Sequence, residues 1–136
     1  MTATLGSCLR TTLPGGAPSS WIARAALADH FGDDLEDESL ATLKLLSSEV
    51  VNNCVQHAGA GAGVLIEMRA WALSGCVHVE ISTAAPPFRR ANVPPRRGTD
   101  CGRGLHLVEQ LSRSWGIVDH GRNTVWFKVD LAGAEA

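Results

Sequence analysis

The 136-residue sequence has no tyrosine and an aromatic content of only 5%. Its core must therefore be built mainly from Leu, Val, Ile and Ala, with four tryptophans as the large pieces. Charge of one sign is also lacking: 12 Lys and Arg stand against 14 Asp and Glu, a net charge of -2. A near-neutral chain has no global attraction for nucleic acid or an anionic membrane, so any phosphate binding must be local. The four cysteines, Cys8, Cys54, Cys76 and Cys101, form no C-x-x-C. The five histidines form no H-E-x-x-H, which leaves a structural zinc site without support. No apolar run reaches bilayer-spanning length and no secretory h-region opens the chain, so reduced thiols in a cytoplasmic protein are the expectation. The length suits one domain spanning 1–136, and hydrophobic residues at 45% are enough to bury its core.

Hydrophobic spacing then places the elements. Residues 1–16 suit an edge strand or a loose tail ending at the Pro14-Gly15-Gly16 turn. Pro18-Ser19-Ser20 supplies a cap for an Ala-rich helix from Trp21 that ends near Gly32. Acidic residues from Asp33 to Glu38 open a second helix, and apolar spacing through Leu40, Leu43, Val50 and Cys54 carries it to about His57. The Gly59–Gly63 run breaks it. Val64 to Ala72 and Val77 to Ile81 alternate as two strands joined through Leu73-Ser74-Gly75. Residues 84–103 have no hydrophobic period and carry Pro86, Pro87, Pro94 and Pro95 with Arg89, Arg90, Arg96, Arg97 and Arg103. A loop of that length inside a compact domain reads as a functional lid or a disordered segment. A third helix is expected from Leu105 to Trp115-Gly116, followed by a hairpin of Ile117–Asp119 and Thr124–Leu131. Helices grouped between hairpins, without βαβ units, predict an α+β fold: a two-layer α/β sandwich, with helices on one face of a mixed, mostly antiparallel sheet.

Two places could carry chemistry. Glu49 and Asn53 lie four apart, so they share one side of the second helix, with His57 a turn further on. That stripe reads either as a solvated helix face or as a working pair. An Asn carbonyl is a hard oxygen ligand for Mg²⁺, and a carboxylate beside it can polarise an attacking hydroxyl or water. Gly102-Arg103-Gly104 opens the third helix, where unpaired N–H groups and the positive dipole end favour an anion. The same three residues also read as a Gly-rich turn closing a loop. The lid arginines clamp phosphates on one reading and keep a loop soluble on the other.

The string from Leu45 to Ala58, with Glu49, Asn53 and His57, resembles the N-box of the GHKL (Bergerat-fold) ATPases. It is closest to their small anti-sigma-factor serine kinases of the RsbW and SpoIIAB kind, in the actinobacterial branch. Gly102 to Val108 is similar to the family's G2 box, and Ser114 to Phe127 to its closing strands. The resemblance covers Trp21 to Leu131. It implies ATP and Mg²⁺ as cofactors, Glu49 as general base and Asn53 as the Mg²⁺ ligand. It makes Gly102, Arg103 and Gly104 the phosphate contact with Leu105 behind them, and sets Arg97 in an ATP lid. It further sets Thr124 near the adenine and His57 at the end of the box. Where the family's G1 box has an Asp accepting the adenine amino proton, this sequence has Thr83. Two functions follow. One is a serine/threonine protein kinase phosphorylating a STAS-type anti-sigma-factor antagonist. The other is a non-catalytic regulator that sequesters a sigma factor or antagonist and binds ATP weakly or not at all, because Thr83 replaces the acid. Neither nucleic acid nor membrane is an expected partner, and relatives suggest a homodimer.

Overall fold

The structure is a computed structural model that describes residues 8–16, 18–57, 64–83, 100–119 and 123–131. The tail before Cys8, the Gly59–Gly63 run, the expected lid up to residue 99 with Arg97, and the turn at 120–122 lie outside these residues. In chain order the elements are β1 Cys8–Pro14, α1 Ser19–Phe31, α2 Asp37–His57, β2 Leu65–Leu73, β3 Cys76–Thr83, α3 Asp100–Leu111, β4 Ser114–Asp119 and β5 Asn123–Asp130. The strands form one five-stranded sheet in the order β1-β2-β3-β5-β4. All four pairings are antiparallel among the described residues. The expected α+β sandwich is therefore present, and the described part of its sheet is antiparallel throughout.

Strand alternation decides where the core lies. Leu13 of β1, Ile66, Met68 and Ala70 of β2, Val77, Val79 and Ile81 of β3, and Val125, Phe127 and Val129 of β5 belong to one core cluster, with Leu9 of β1 packed against it. The same cluster takes in Ala23, Leu27 and Phe31 from α1, Leu43, Leu46, Val50, Val51 and Cys54 from α2, and Leu105 and Val108 from α3. Helices thus cover one face of the sheet. α2 is central in this layer, packing on α1, α3, β3 and β5. Each large aliphatic or aromatic side chain so buried contributes about 1.5–3 kcal/mol relative to exposure, and that gain holds the two layers together.

Local chemistry sets several boundaries differently from expectation. Pro18 makes no side-chain cap on α1. Instead the Ser19 hydroxyl donates back to the Pro14 carbonyl, fastening the helix start to the end of β1. The β2–β3 hairpin turns through Ser74 and Gly75, with Gly75 at φ 78°, a left-handed backbone that glycine adopts without a Cβ clash. α3 begins at Asp100, not Leu105, so Gly102, Arg103 and Gly104 lie within its first turns. The two helical glycines cost roughly 1 kcal/mol each relative to alanine. The helix also stops at Leu111, so Trp115 and Gly116 are part of β4 and not of the expected helix end. Trp115 pairs with Phe127 across the ladder and packs against the core, burial that strand geometry supplies at that position.

Gly116 has a specific reason to be glycine. A Cβ there would stand 2.8 Å from Nε1 of Trp126 and 3.0 Å from two further ring atoms. We expect Gly116→Ala to destabilise the fold by about 1–3 kcal/mol in urea unfolding, as overpacking does, with a change in tryptophan emission. A loss under about 0.5 kcal/mol would mean that the indole simply swings aside.

Candidate functional site

A helix so buried on one side normally ends in solvent-facing polar residues, but the last turns of α2 depart from that pattern. Asn53 is 5% exposed although it is polar and lies among the last residues of the helix. Its Nδ2 donates to the backbone carbonyl of Glu49 at 3.2 Å. That bond fixes the amide, because only the nitrogen side can donate to a carbonyl. The side-chain oxygen is consequently turned away from the helix backbone. Glu49, one turn earlier on the same side, is partly exposed. The arrangement is a half-buried carboxylate beside an oriented amide oxygen, and the solvated-face alternative does not account for the burial of Asn53.

Cys54 follows Asn53 but turns into the core, and burial pushes its thiol up to about 12. It stays protonated at neutral pH and is a poor nucleophile there. Among the described residues no three His, Cys, Asp or Glu side chains converge into a metal cage. A divalent ion at this helix would rest on few protein oxygens and bring its remaining ligands with it. Mg²⁺ bound beside phosphates behaves in that way.

The other expected site residues distribute as follows. His57 is the last residue of α2. Gly102, Arg103 and Gly104 lie in the opening turns of α3, whose first unpaired N–H groups belong to the turn that starts at Asp100 and takes in Gly102. Leu105 behind them is 3% exposed and part of the core. Because α3 packs directly on α2, the Glu49–Asn53 wall and the glycine-bearing helix start belong to the same layer. Thr83 ends β3, fully buried and on the helix-facing side, in register with Ile66 and Asn123.

Thr124 is not brought to this group. It pairs with Ser82, and both alternate with core residues, so they belong to the sheet face turned away from the helices. The β5 residue in register with Thr83 is Asn123, one position earlier. Arg97 lies outside the described residues.

The far face of the sheet holds a cluster that sequence reasoning missed. His78 is only 9% exposed, with Trp71 on one side at 4.6 Å between ring centroids and Trp126 on the other at 5.6 Å. Its Nε2 meets the Glu80 carboxylate at 3.2 Å, and the second Glu80 oxygen accepts from Arg69 at 2.5 Å. Lys128 lies over the Trp126 ring. The available signal was parity: Trp71, His78 and Trp126 all fall on the non-core side of their strands, yet two are indoles.

Three comparisons bear on this geometry. The family model described as histidine kinase-like ATPase domain matches residues 21–129. No curated protein matches the sequence significantly. Among solved structures, the RsbU and RsbW domains of Rv1364c from Mycobacterium tuberculosis superpose with a TM-score of 0.66 at 20% identity over 92% of this chain and 32% of that one. The blue-light activated histidine kinase of Erythrobacter litoralis gives 0.59 at 24% identity over 72% of this chain and 32% of that one. Its isolated histidine kinase domain gives 0.57 at 20% identity over 83% and 59%. At these identities the likeness is one of fold, and this chain spans about a third of the first two proteins and three-fifths of the third. With the family match extending from α1 to β5 across the α2 carboxylate–amide pair and the opening of α3, the chain belongs to the histidine kinase-like ATPase domain family.

Proposed function

We propose that the chain is an ATP-binding regulatory serine/threonine protein kinase of the anti-sigma type, acting in the cytoplasm on a STAS-type anti-sigma-factor antagonist and working as a homodimer. The observation that carries this reading is the Asn53 amide, buried and bonded to the Glu49 carbonyl so that its oxygen is free of the helix's own backbone. Asn53 would hold Mg²⁺ through that oxygen, and the bound ion would supply charge neutralisation at the phosphates. Glu49 takes the proton from the antagonist's hydroxyl as that oxygen attacks the γ-phosphorus, and the bond from the γ-phosphorus to the β–γ bridging oxygen breaks to release ADP. The first turn of α3 offers backbone N–H groups to the phosphates, and Leu105 anchors that turn in the core. Charge added to the antagonist then alters its docking surface. The fold shared with the RsbU and RsbW domains of the Mycobacterium tuberculosis protein supports the sigma-factor setting.

A second reading is favoured by Thr83. It is uncharged, and it occupies the buried end of β3 where the resemblance calls for an acid. Without a charge-assisted bond to adenine, affinity drops by a few kcal/mol, and the same sandwich would act by holding a sigma factor or antagonist stoichiometrically.

Calorimetric titration with Mg-ATP separates the two readings. The kinase reading expects binding with a Kd in the range of about 1–100 µM. The absence of heat in that range leaves the non-catalytic regulator. Asn53→Ala should weaken nucleotide binding about tenfold or more with Mg²⁺ present and much less in EDTA. Glu49→Ala should bind nucleotide normally yet lower phosphoryl transfer to the antagonist by roughly 10²-fold or more. Unchanged transfer would remove Glu49 as base. Thr83→Asp should tighten adenine nucleotide binding about tenfold or more. No change there would mean that the pocket anchors adenine through another group.

A further inference from the structure

Chain direction brings two exposed leucines of the helical layer together beside Glu49. α1 starts where the Ser19 hydroxyl is bonded to Pro14, and α2 returns from α1 after a short turn at residues 32–36. The end of α2 therefore lies at the end of the sheet that holds Pro14 and Thr83. α3 runs the other way: it stops at Leu111, and Ser114 opens β4 at the opposite end of the sheet, in register with Lys128 and so with His78. α2 and α3 are thus antiparallel neighbours. At 1.5 Å per residue, Leu45 lies about 18 Å back from the end of α2 and Leu111 about 17 Å along α3, so the two are level.

Rotation about each helix turns these side chains toward one groove. Trp115 on β4 donates to Glu109 at 3.3 Å, which sets that side of α3 toward the edge of the sheet. At about 100° per residue, Leu107 and Leu111 lie on the opposite side, toward α2. Leu45 is one turn before Glu49 on the same side of α2. β3 and β4 run parallel with β5 between them, and the right-handed connection of such strands sets α3 on that side of α2. The outer groove between the helices is therefore lined by Leu45, 39% exposed, Leu111, 46% exposed, and half-buried Leu107. The side chains flanking them, Ala41, Asn52 and Gln110, are uncharged. Interface centres are depleted of charge in the same way.

We propose that this groove is the docking site for the protein that receives the phosphoryl group, and that it takes an apolar side chain flanking the acceptor hydroxyl. The proposal rests on the kinase reading above, and geometry names the occupant. A standard interface covers about 800 Å² of each partner, a disc of roughly 16 Å radius. Leu45 is about 6 Å from Glu49, and α3 is roughly 8–10 Å across from α2. A folded protein that brings its hydroxyl to Glu49 must therefore cover the groove. Leucines scattered singly over a surface need no partner, but these two meet at the same level beside the proposed base. A contact this far from the reacting atoms holds ground state and transition state alike, so it registers in KM and not in kcat.

Two quantities measured on the 136-residue chain test the proposal: the Kd of the unphosphorylated STAS-type antagonist by calorimetry, and steady-state phosphoryl transfer to it from Mg-ATP. Leu45→Glu and Leu111→Glu should each raise both Kd and KM for the antagonist at least tenfold, with kcat within twofold and Mg-ATP affinity unchanged. Leu45→Met should behave as the parent chain, as should Leu65→Glu on the opposite side of the sheet. Unchanged antagonist affinity in either groove variant overturns the proposal, and so does a fall in kcat at constant KM. A parent chain that binds no antagonist also overturns it. If Leu45→Glu alters only self-association in sedimentation, the groove belongs to a second copy and the proposal fails. A chain that binds the antagonist through the groove but transfers no phosphate removes the kinase reading alone. A chain that transfers phosphate with the same KM in both groove variants removes the groove alone.

Discussion

The two-residue period of β3 governs the molecule. Val77, Val79, Ile81 and Thr83 go to the helical layer, while His78, Glu80 and Ser82 go to the opposite side. Every neighbouring strand must match that parity, since a slip of one residue would send its apolar set to the wrong face. One strand therefore fixes both the buried end of the candidate nucleotide cleft and the aromatic stack behind it. The two surfaces are separated by the thickness of a single sheet.

α2 does the corresponding work among the helices. It touches both other helices and two strands, and Val50, Val51 and Cys54 near its end are in the core. A polar pair at the frayed end of a surface helix would sample many rotamers and present no defined ligand atom. Here the Asn53 amide is buried and pinned by its own helix, which gives a short polar side chain the pre-organisation that binding requires. Cys54 next to it shows the contrast along one helix: the neighbour that turns inward is chemically silent.

Much of this was legible from residue spacing. The order of elements, the hairpin at Ser74-Gly75 and the extent of α2 follow from period and turn chemistry. The Glu49–Asn53 adjacency also follows from spacing, but the burial that distinguishes it from a solvated stripe does not, because it depends on elements distant in sequence. Two boundaries moved: Trp115 joins β4, where Phe127 lies across the ladder, and α3 starts at Asp100, ahead of its two glycines. Thr124 shows the limit of matching by motif: one residue of register decides which side of a sheet a side chain reaches, and Asn123, not Thr124, is in line with Thr83. The aromatic stack was visible only once three strands were placed side by side.

The seating of Trp126 against Gly116 also has a topological consequence. Among the described residues β4 is an edge strand, held by β5 on one side, and such strands are the ones most free to slide. Shifting it one residue either way would bring Trp115 or Ile117 to the place where a bare backbone now meets the indole. The ring therefore works as a bolt that admits one alignment of the sheet's margin, so the outermost strand gets its fidelity from a neighbour's side chain and not from its own ladder.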